Sequence, residues 1–501
     1  MTASSGRPAS APAAGQSGQI VEPAVAGLPR RAGSRPASWR ATAWYAAFAV
    51  YAGIVAVVSA ASYERAWGAW AACGYGAAAL AGRWRWHGRD LALLASLGGA
   101  LVAPLAWLAT RARPTPDVQV VWRAALLLLR HGTPYLPPSQ LVHLSGPIAY
   151  NPYLPAMALF GLPRAIGLTA LAGDTRPWLA VATVGLFALA LRISGRRDAL
   201  RWSLLAVASP VMAFPLALGI TDPPVLGLVC VALAVLSQTS PPRLWTAAVV
   251  IGVACALKAT AWPALPVLTA MLAARDGARA AVRFAAAAVV AAAALVAVFA
   301  PAVLARPAGL MQNLVLFPLG LTKAQTPAAS PLPGHLLAMT GPVGDLAAIC
   351  LLIAAGLAVG ASLVLRPPAD GQAAALRLAI GLSLLFALSP ATRFGYFAYP
   401  IGLCGWVVLS RGAALAGYDL AASPWPGRMT GGLSGRLAAA RAARAARGAG
   451  PVRPAHSALP AYPTASSEPA YPSEPSLPGG AARPACHALP GPLARADRAS
   501  D

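Results

Sequence analysis

The chain has 501 residues, of which 57% are hydrophobic and 11% charged, with a formal charge of +24 and a mean hydropathy of +0.61. That composition excludes an ordinary soluble domain and points to an integral membrane protein. The basic excess is almost all arginine, placed between apolar segments and in both tails, which is the arrangement that orients a polytopic protein. The lipid bilayer is therefore the expected partner, and nucleic acid is not.

Residues 1–40 are rich in Pro, Ser, Ala and Arg and lack the short apolar core of a cleavable leader. They read as a disordered cytoplasmic tail, and the first span as a retained anchor. Apolar stretches follow at 43–61, 66–82, 90–110, 177–193, 203–220, 223–238, 283–304, 345–365, 376–391 and 396–410, each long enough to cross or nearly cross the hydrocarbon core. Arg30, Arg31, Arg35 and Arg40 precede the first, "RWRWHGR" (83–89) follows the second and "RISGRRDALR" (192–201) follows the fourth, so these connections are expected in the cytoplasm.

Arg243 on one side and Arg275, Arg279 and Arg283 on the other bracket the stretch 245–274, which must then cross an even number of times. Two short helices meeting near "LKATAWP" (257–263) satisfy this. Each would be only about 20 Å long, which suits a position beside a water-filled cavity. A single long tilted helix is the alternative. The two-helix reading predicts an all-α polytopic membrane protein with about twelve transmembrane helices, both termini cytoplasmic, and a membrane domain over 41–411. The Pro, Ala and Arg-rich remainder, 412–501, reads as a disordered cytoplasmic tail in which 436–450 forms a basic helix suited to anionic lipid.

Five segments then face outward: the long loop 111–176, "GITDPP" (219–224), the tip 257–263, the loop 306–344 and "TRFGYFAYP" (392–400). In the first of these, 150–167 is apolar but interrupted by Pro152, Pro155 and Pro163, and is expected to be a helix lying at the interface. The same loop holds Arg111, Arg113, Arg123, Arg130, Arg164 and Arg176, an excess that invites an anionic ligand. The six cysteines are scattered without ligand spacing and read as small core residues. His131 and His143 form no ligand set with Asp117, so neither metal nor cofactor is assigned.

Few acids fall outside: Glu64, Asp117, Asp174, Asp222 and Asp345. Asp117 opens a run in which Val118, Val121, Trp122, Ala125, Leu128 and Leu129 share a face, the pattern of an amphipathic helix lying along the membrane. Its carboxylate is either a helix cap or a general base at the mouth of a cavity. Asp222 either stays wet in its turn or meets a sugar hydroxyl or a neighbouring cation. Lys258, late in an apolar helix, either snorkels to the surface or holds a phosphate as a point charge. Arg393 sits among Phe394, Tyr396, Phe397 and Tyr399. An interfacial belt accounts for the rings, whereas the guanidinium suits a bidentate phosphate and the rings a sugar or prenyl pocket.

Taken in order, the external Asp117, "WRAALLLLRHGTPYLPP" and "YNPYLPAMALFGLP" resemble the first luminal loop of GT-C membrane glycosyltransferases. The later "GITDPPVLGLVCVALAVL", "AAVVIGVACALKATAWPALPVL" and "TRFGYFAYP" are similar to the polyprenol-phosphate-mannose-dependent mannosyltransferases of glycosyltransferase family 87. The match covers about residues 90 to 411. The resemblance implies a transferase moving a hexose, mannose above all, from a polyprenyl-phosphate donor to a glycolipid or cell-envelope glycan acceptor on the outer face. It implies Asp117 as base and Lys258 and Arg393 at the donor phosphate, with Arg123, Tyr135, Tyr150, Asn151, Asp222 and Tyr396 as substrate contacts. A secondary transporter and a non-catalytic membrane subunit are the competing readings.

Overall fold

The structure, a computed structural model, describes residues 37–83, 88–111, 114–144, 146–238, 243–318, 322, 324 and 326–411. The two tails, with the basic stretch 436–450, and Arg113 lie outside the described residues.

Helices account for all the regular structure among the described residues, apart from one isolated bridge between Ala329 and Thr392. The longer ones, in chain order, are α1 (Ala37–Val58), α2 (Ser62–Ala81), α3 (Gly88–Arg111, with a π turn at Gly98–Val102), α4 (Pro116–His131), α5 (Thr175–Ile193), α6 (Ala199–Val207) and α7 (Pro210–Leu218). Then come α8 (Asp222–Leu236), α9 (Arg243–Leu257), α10 (Ala264–Asp276), α11 (Ala278–Phe299), α12 (Pro342–Leu365), α13 (Gly371–Leu388) and α14 (Ala398–Ser410). Among the described residues six helices are long and apolar enough to cross a membrane: α1 from Trp39, α3, α5, α11, α12 and α13. The pair α6 and α7 makes a seventh if its 73° bend lies within one span. Apolar residues stand outward on α1, α11 and α12, including Val57, Val58, Val290, Val298, Val364 and Leu365, as a lipid-facing surface requires.

The bend has an identifiable cause. Pro210 brings no N–H to the helix and pushes Ser209 into extended geometry, ψ 149°. The Met212 N–H turns to the Ser209 carbonyl, and the hydroxyl of Tyr75 on α2 donates instead to the Ala208 carbonyl, 2.7 Å away. Next to this point α2 and α3 touch backbone to backbone. A Cβ added to Gly99 would lie 2.3 Å from the Gly74 Cα, and one added to Gly74 would lie 2.6 Å from the Gly99 Cα. Small residues allow this approach, the usual way that membrane helices gain packing without a hydrophobic driving force.

The stretch 245–274 is two helices, not one. Arg243 at the start of α9 pairs with Asp276 at the end of α10, Nη2 to Oδ1 3.0 Å, so the pair runs out and back and carries Lys258 at the far tip. The same end gathers the close of α8, whose Leu236 carbonyl accepts from Arg275 at 2.8 Å, and the close of α5, whose Ile193 carbonyl accepts from Gln238 at 2.8 Å. Gly371 at the start of α13 meets Ser237 there. Asp222 and Lys258 lie at the other ends of α8 and α9, and Arg393 and Tyr396 follow the other end of α13.

The expectation for 150–167 requires correction. In place of an interfacial helix the chain is extended to Leu154, forms a 3-10 segment over Pro155–Gly161 and then one helical turn, Leu162–Ala165. Tyr153, Ala156 and Met157 are buried in the main core with α8, α9 and α11. The prolines fragment the helix, and the apolar side chains freed from it fill the interior instead of the membrane surface. On α4, Val118, Val120, Val121, Ala124, Ala125 and Leu128 are buried, whereas Leu129 is exposed, so the buried face is turned slightly from the one read off the sequence.

Candidate functional site

Helix α4 begins with Thr115 as N-cap and Pro116 in the first turn, and Gly132 closes it in the left-handed region, φ 66°, where its N–H reaches the Leu128 carbonyl. Thr115 uses its hydroxyl elsewhere, donating to the Leu218 carbonyl at 2.7 Å. Asp117 is therefore not the cap. Its Oδ1 accepts a short hydrogen bond from the Tyr153 hydroxyl, and its Oδ2 lies 4.0 Å from Arg393 Nη1.

Arg393 is held from behind by the strand-like pairing of 328–330 with 392, in which Thr392 N donates to the Ala328 carbonyl and Ser330 N to the Thr392 carbonyl, both 2.9 Å. The Thr392 hydroxyl also closes on the Phe386 carbonyl at 2.7 Å. The Arg393 side chain remains 36% exposed, so it faces both the carboxylate and the surroundings. Burial, the largest single influence, works against its charge, but Asp117 together with Tyr396, Tyr153 and Tyr63 raises its pKa overall.

Behind this pair lies a second one. Lys258, only 8% exposed, ends α9 and donates to Asp222 Oδ1 at 2.7 Å. Its ammonium also stands over the rings of Tyr153 and Tyr396, 5.3 and 5.7 Å from their centroids. Neither snorkelling for Lys258 nor a wet turn for Asp222 describes this arrangement, because Asp222 is 1% exposed and meets a neighbouring cation. Asp222 Oδ2 is buried without a partner among the described residues. Nearby, the hydroxyls of Thr260 and Tyr399 are 2.6 Å apart.

The structure thus brings together Asp117, Asp222, Lys258, Arg393 and Tyr396. Four other residues expected at substrate are engaged with the chain itself. Arg123 donates to the Ala149 carbonyl at 2.9 Å, and the Tyr135 hydroxyl to the Tyr153 carbonyl at 2.9 Å. Tyr150 stacks on Phe317 with centroids 4.5 Å apart. Asn151 accepts from Tyr153 N at 3.2 Å, while its own N–H reaches the Asn313 side chain at 2.6 Å. These contacts join the loop 114–174 to residues 312–317 and set the position of Tyr153.

Tyr153 itself was missed by the sequence reading. Its signal is its place between Pro152 and Pro155, which fix the direction of an otherwise flexible aromatic. Burial, and then the charge of Asp117, push its hydroxyl well above the ordinary tyrosine range, so it stays a proton donor at neutral pH. Asp174, another outward acid in the sequence reading, caps α5 and pairs with buried Arg176 at 2.8 Å.

One glycine sets the approach of two site segments. Gly219, φ 80°, ends α7 just before Thr221 and Asp222, and a Cβ there would lie 2.4 Å from Val118 Cγ2, beside Asp117. Gly219→Ala is expected to cost about 1–3 kcal/mol through left-handed strain and overpacking, read as a lower unfolding temperature in detergent.

No protein-family model, curated protein or solved structure matches this chain.

Proposed function

We propose that the protein is a GT-C-like membrane glycosyltransferase that moves a hexose, mannose above all, from a polyprenyl-phosphate donor to a glycolipid or cell-envelope glycan. In this reading the chain crosses the cell membrane twelve times with both termini in the cytoplasm. The bent pair α6 and α7 is one crossing, and α2, α8, α9, α10 and α14 are short or less apolar crossings beside the six long ones. The site cluster then opens outward.

The observation that carries the reading is the meeting of Asp117 and Arg393, from segments far apart in sequence, as a partly exposed carboxylate and guanidinium 4.0 Å apart. The acceptor hydroxyl gives its proton to Asp117 Oδ2, the oxygen not engaged by Tyr153, and its oxygen attacks the anomeric carbon of the donor sugar. The bond from that carbon to the phosphate oxygen breaks, its electron pair leaves on the polyprenyl phosphate, and Arg393 meets the charge that builds there.

The test is transfer of label from radiolabelled polyprenyl-phosphate-mannose into lipid and glycan fractions by membranes holding the full-length chain. Transfer by the wild type is expected. Arg393→Ala should raise the donor KM about 10- to 100-fold through loss of a charge-assisted contact. Absence of transfer into any fraction, together with uptake of a solute by the same membranes, would establish a transporter instead.

A further inference from the structure

The ammonium of Lys258 is largely buried and already engaged by the chain itself. Asp222 takes its best hydrogen bond at 2.7 Å, Thr221 lies at 3.4 Å, and two tyrosine rings cover its flanks. One of those rings belongs to Tyr153, whose hydroxyl donates to Asp117. The contacts therefore run in one line, from Asp222 through Lys258 and the face of Tyr153 to the carboxylate of Asp117. The middle of the line is fixed through the backbone as well: Leu154 N donates to the Leu257 carbonyl at 3.1 Å, locking the backbone beside Tyr153 to the backbone beside Lys258. Tyr135 and Asn151 hold the carbonyl and N–H of Tyr153 from the other side.

We infer that Asp222, Lys258 and Tyr153 form a positioning chain that fixes Asp117 Oδ1 and leaves Oδ2, beside Arg393, to the acceptor hydroxyl, so that of the two cations in the cluster Arg393 takes the phosphate. The catalytic part of this inference rests on the transferase reading, whereas the positioning part does not. A cation over an aromatic face resists displacement of the ring, and Asp222 keeps the cation from leaving. Arg393 is suited to the phosphate because it is the more exposed of the two cations in the cluster, and its planar fork matches phosphate oxygens.

Two measurements on the full-length protein decide this. The first compares Tyr153→Phe and the charge-free pair Lys258→Met with Asp222→Asn against the wild type in the label-transfer assay and in binding of tritiated polyprenyl phosphate. The chain predicts a fall in kcat of about 10- to 100-fold, the cost of misplacing a reacting group, with donor KM and phosphate binding within about twofold. Lys258→Arg, which keeps the cation over the ring, should recover much of the lost rate. A loss of phosphate binding in the charge-free pair as large as in Arg393→Ala makes Lys258 a phosphate ligand and overturns the inference. Wild-type kcat in Tyr153→Phe overturns it too.

The second measurement follows the rate at which a hydrophobic carbodiimide modifies Asp117, read by mass spectrometry in detergent. Removal of the Tyr153 hydroxyl or of the Lys258 pair exposes Oδ1 and should accelerate modification several-fold. An unchanged rate overturns the positioning chain. This result is independent of sugar transfer, so a wild-type protein that modifies as expected but transfers no sugar defeats the transferase reading and leaves the chain standing.

Discussion

Asp117→Asn is expected to lower sugar transfer by about 10²- to 10⁴-fold, the usual contribution of a general base, while polyprenyl-phosphate binding stays within about twofold. Asparagine keeps the volume of the side chain and, through its amide oxygen, can still accept from Tyr153. What it loses is the capacity to take a proton from the acceptor. The helix should not suffer, because its first turn is closed by Thr115 and Pro116 and not by this carboxylate. The measurement pairs single-turnover label transfer with tritiated polyprenyl-phosphate binding on the same preparation. Loss of both together would point to a damaged site, and loss of neither would remove Asp117 from the chemistry.

Asp222→Ala is expected to be the most destabilising change in the site, by about 3–5 kcal/mol, because it leaves the ammonium of Lys258 buried and unpaired. The side chains are 10% and 2% exposed, so water cannot replace the missing carboxylate. Replacing both partners, Lys258→Met with Asp222→Leu, should recover most of the loss, since two apolar groups carry no desolvation debt. Thermal unfolding in detergent of the two single variants and the double variant gives the coupling directly. If Asp222→Ala costs no more than an exposed pair would, about 1 kcal/mol, then Lys258 reaches solvent by another route.

Much of this arrangement was legible in the sequence because charge in an apolar chain is costly and so must be explained. The bracketing arginines at 243 and 275 correctly implied that 245–274 turns back on itself, and the sparse acids and cations nominated Asp117, Asp222, Lys258 and Arg393. Partner choice was not legible. Whether Lys258 faces a ligand or Asp222 depends on the turn at Gly219 and on where α8 begins, which are tertiary facts. The fate of 150–167 was hidden for a related reason: apolar content shows that a segment avoids water, but not whether it avoids it in lipid or in the core. Tyr135 and Asn151 are motif residues, yet they act on the backbone of Tyr153, one step away from the cluster, and Tyr150 stacks on Phe317.

The meeting of Gly74 and Gly99 has a mechanical consequence. With no side chain between them, α2 and α3 have no soft layer along which to slip, and the Trp67 indole adds a bond across the same contact to the Ala100 carbonyl at 2.8 Å. Any tilt of one helix must carry the other. Helix α3 leads within a few residues to α4, which carries Asp117. The segment that delivers the carboxylate thus starts from a helix pinned to α2 at two glycines.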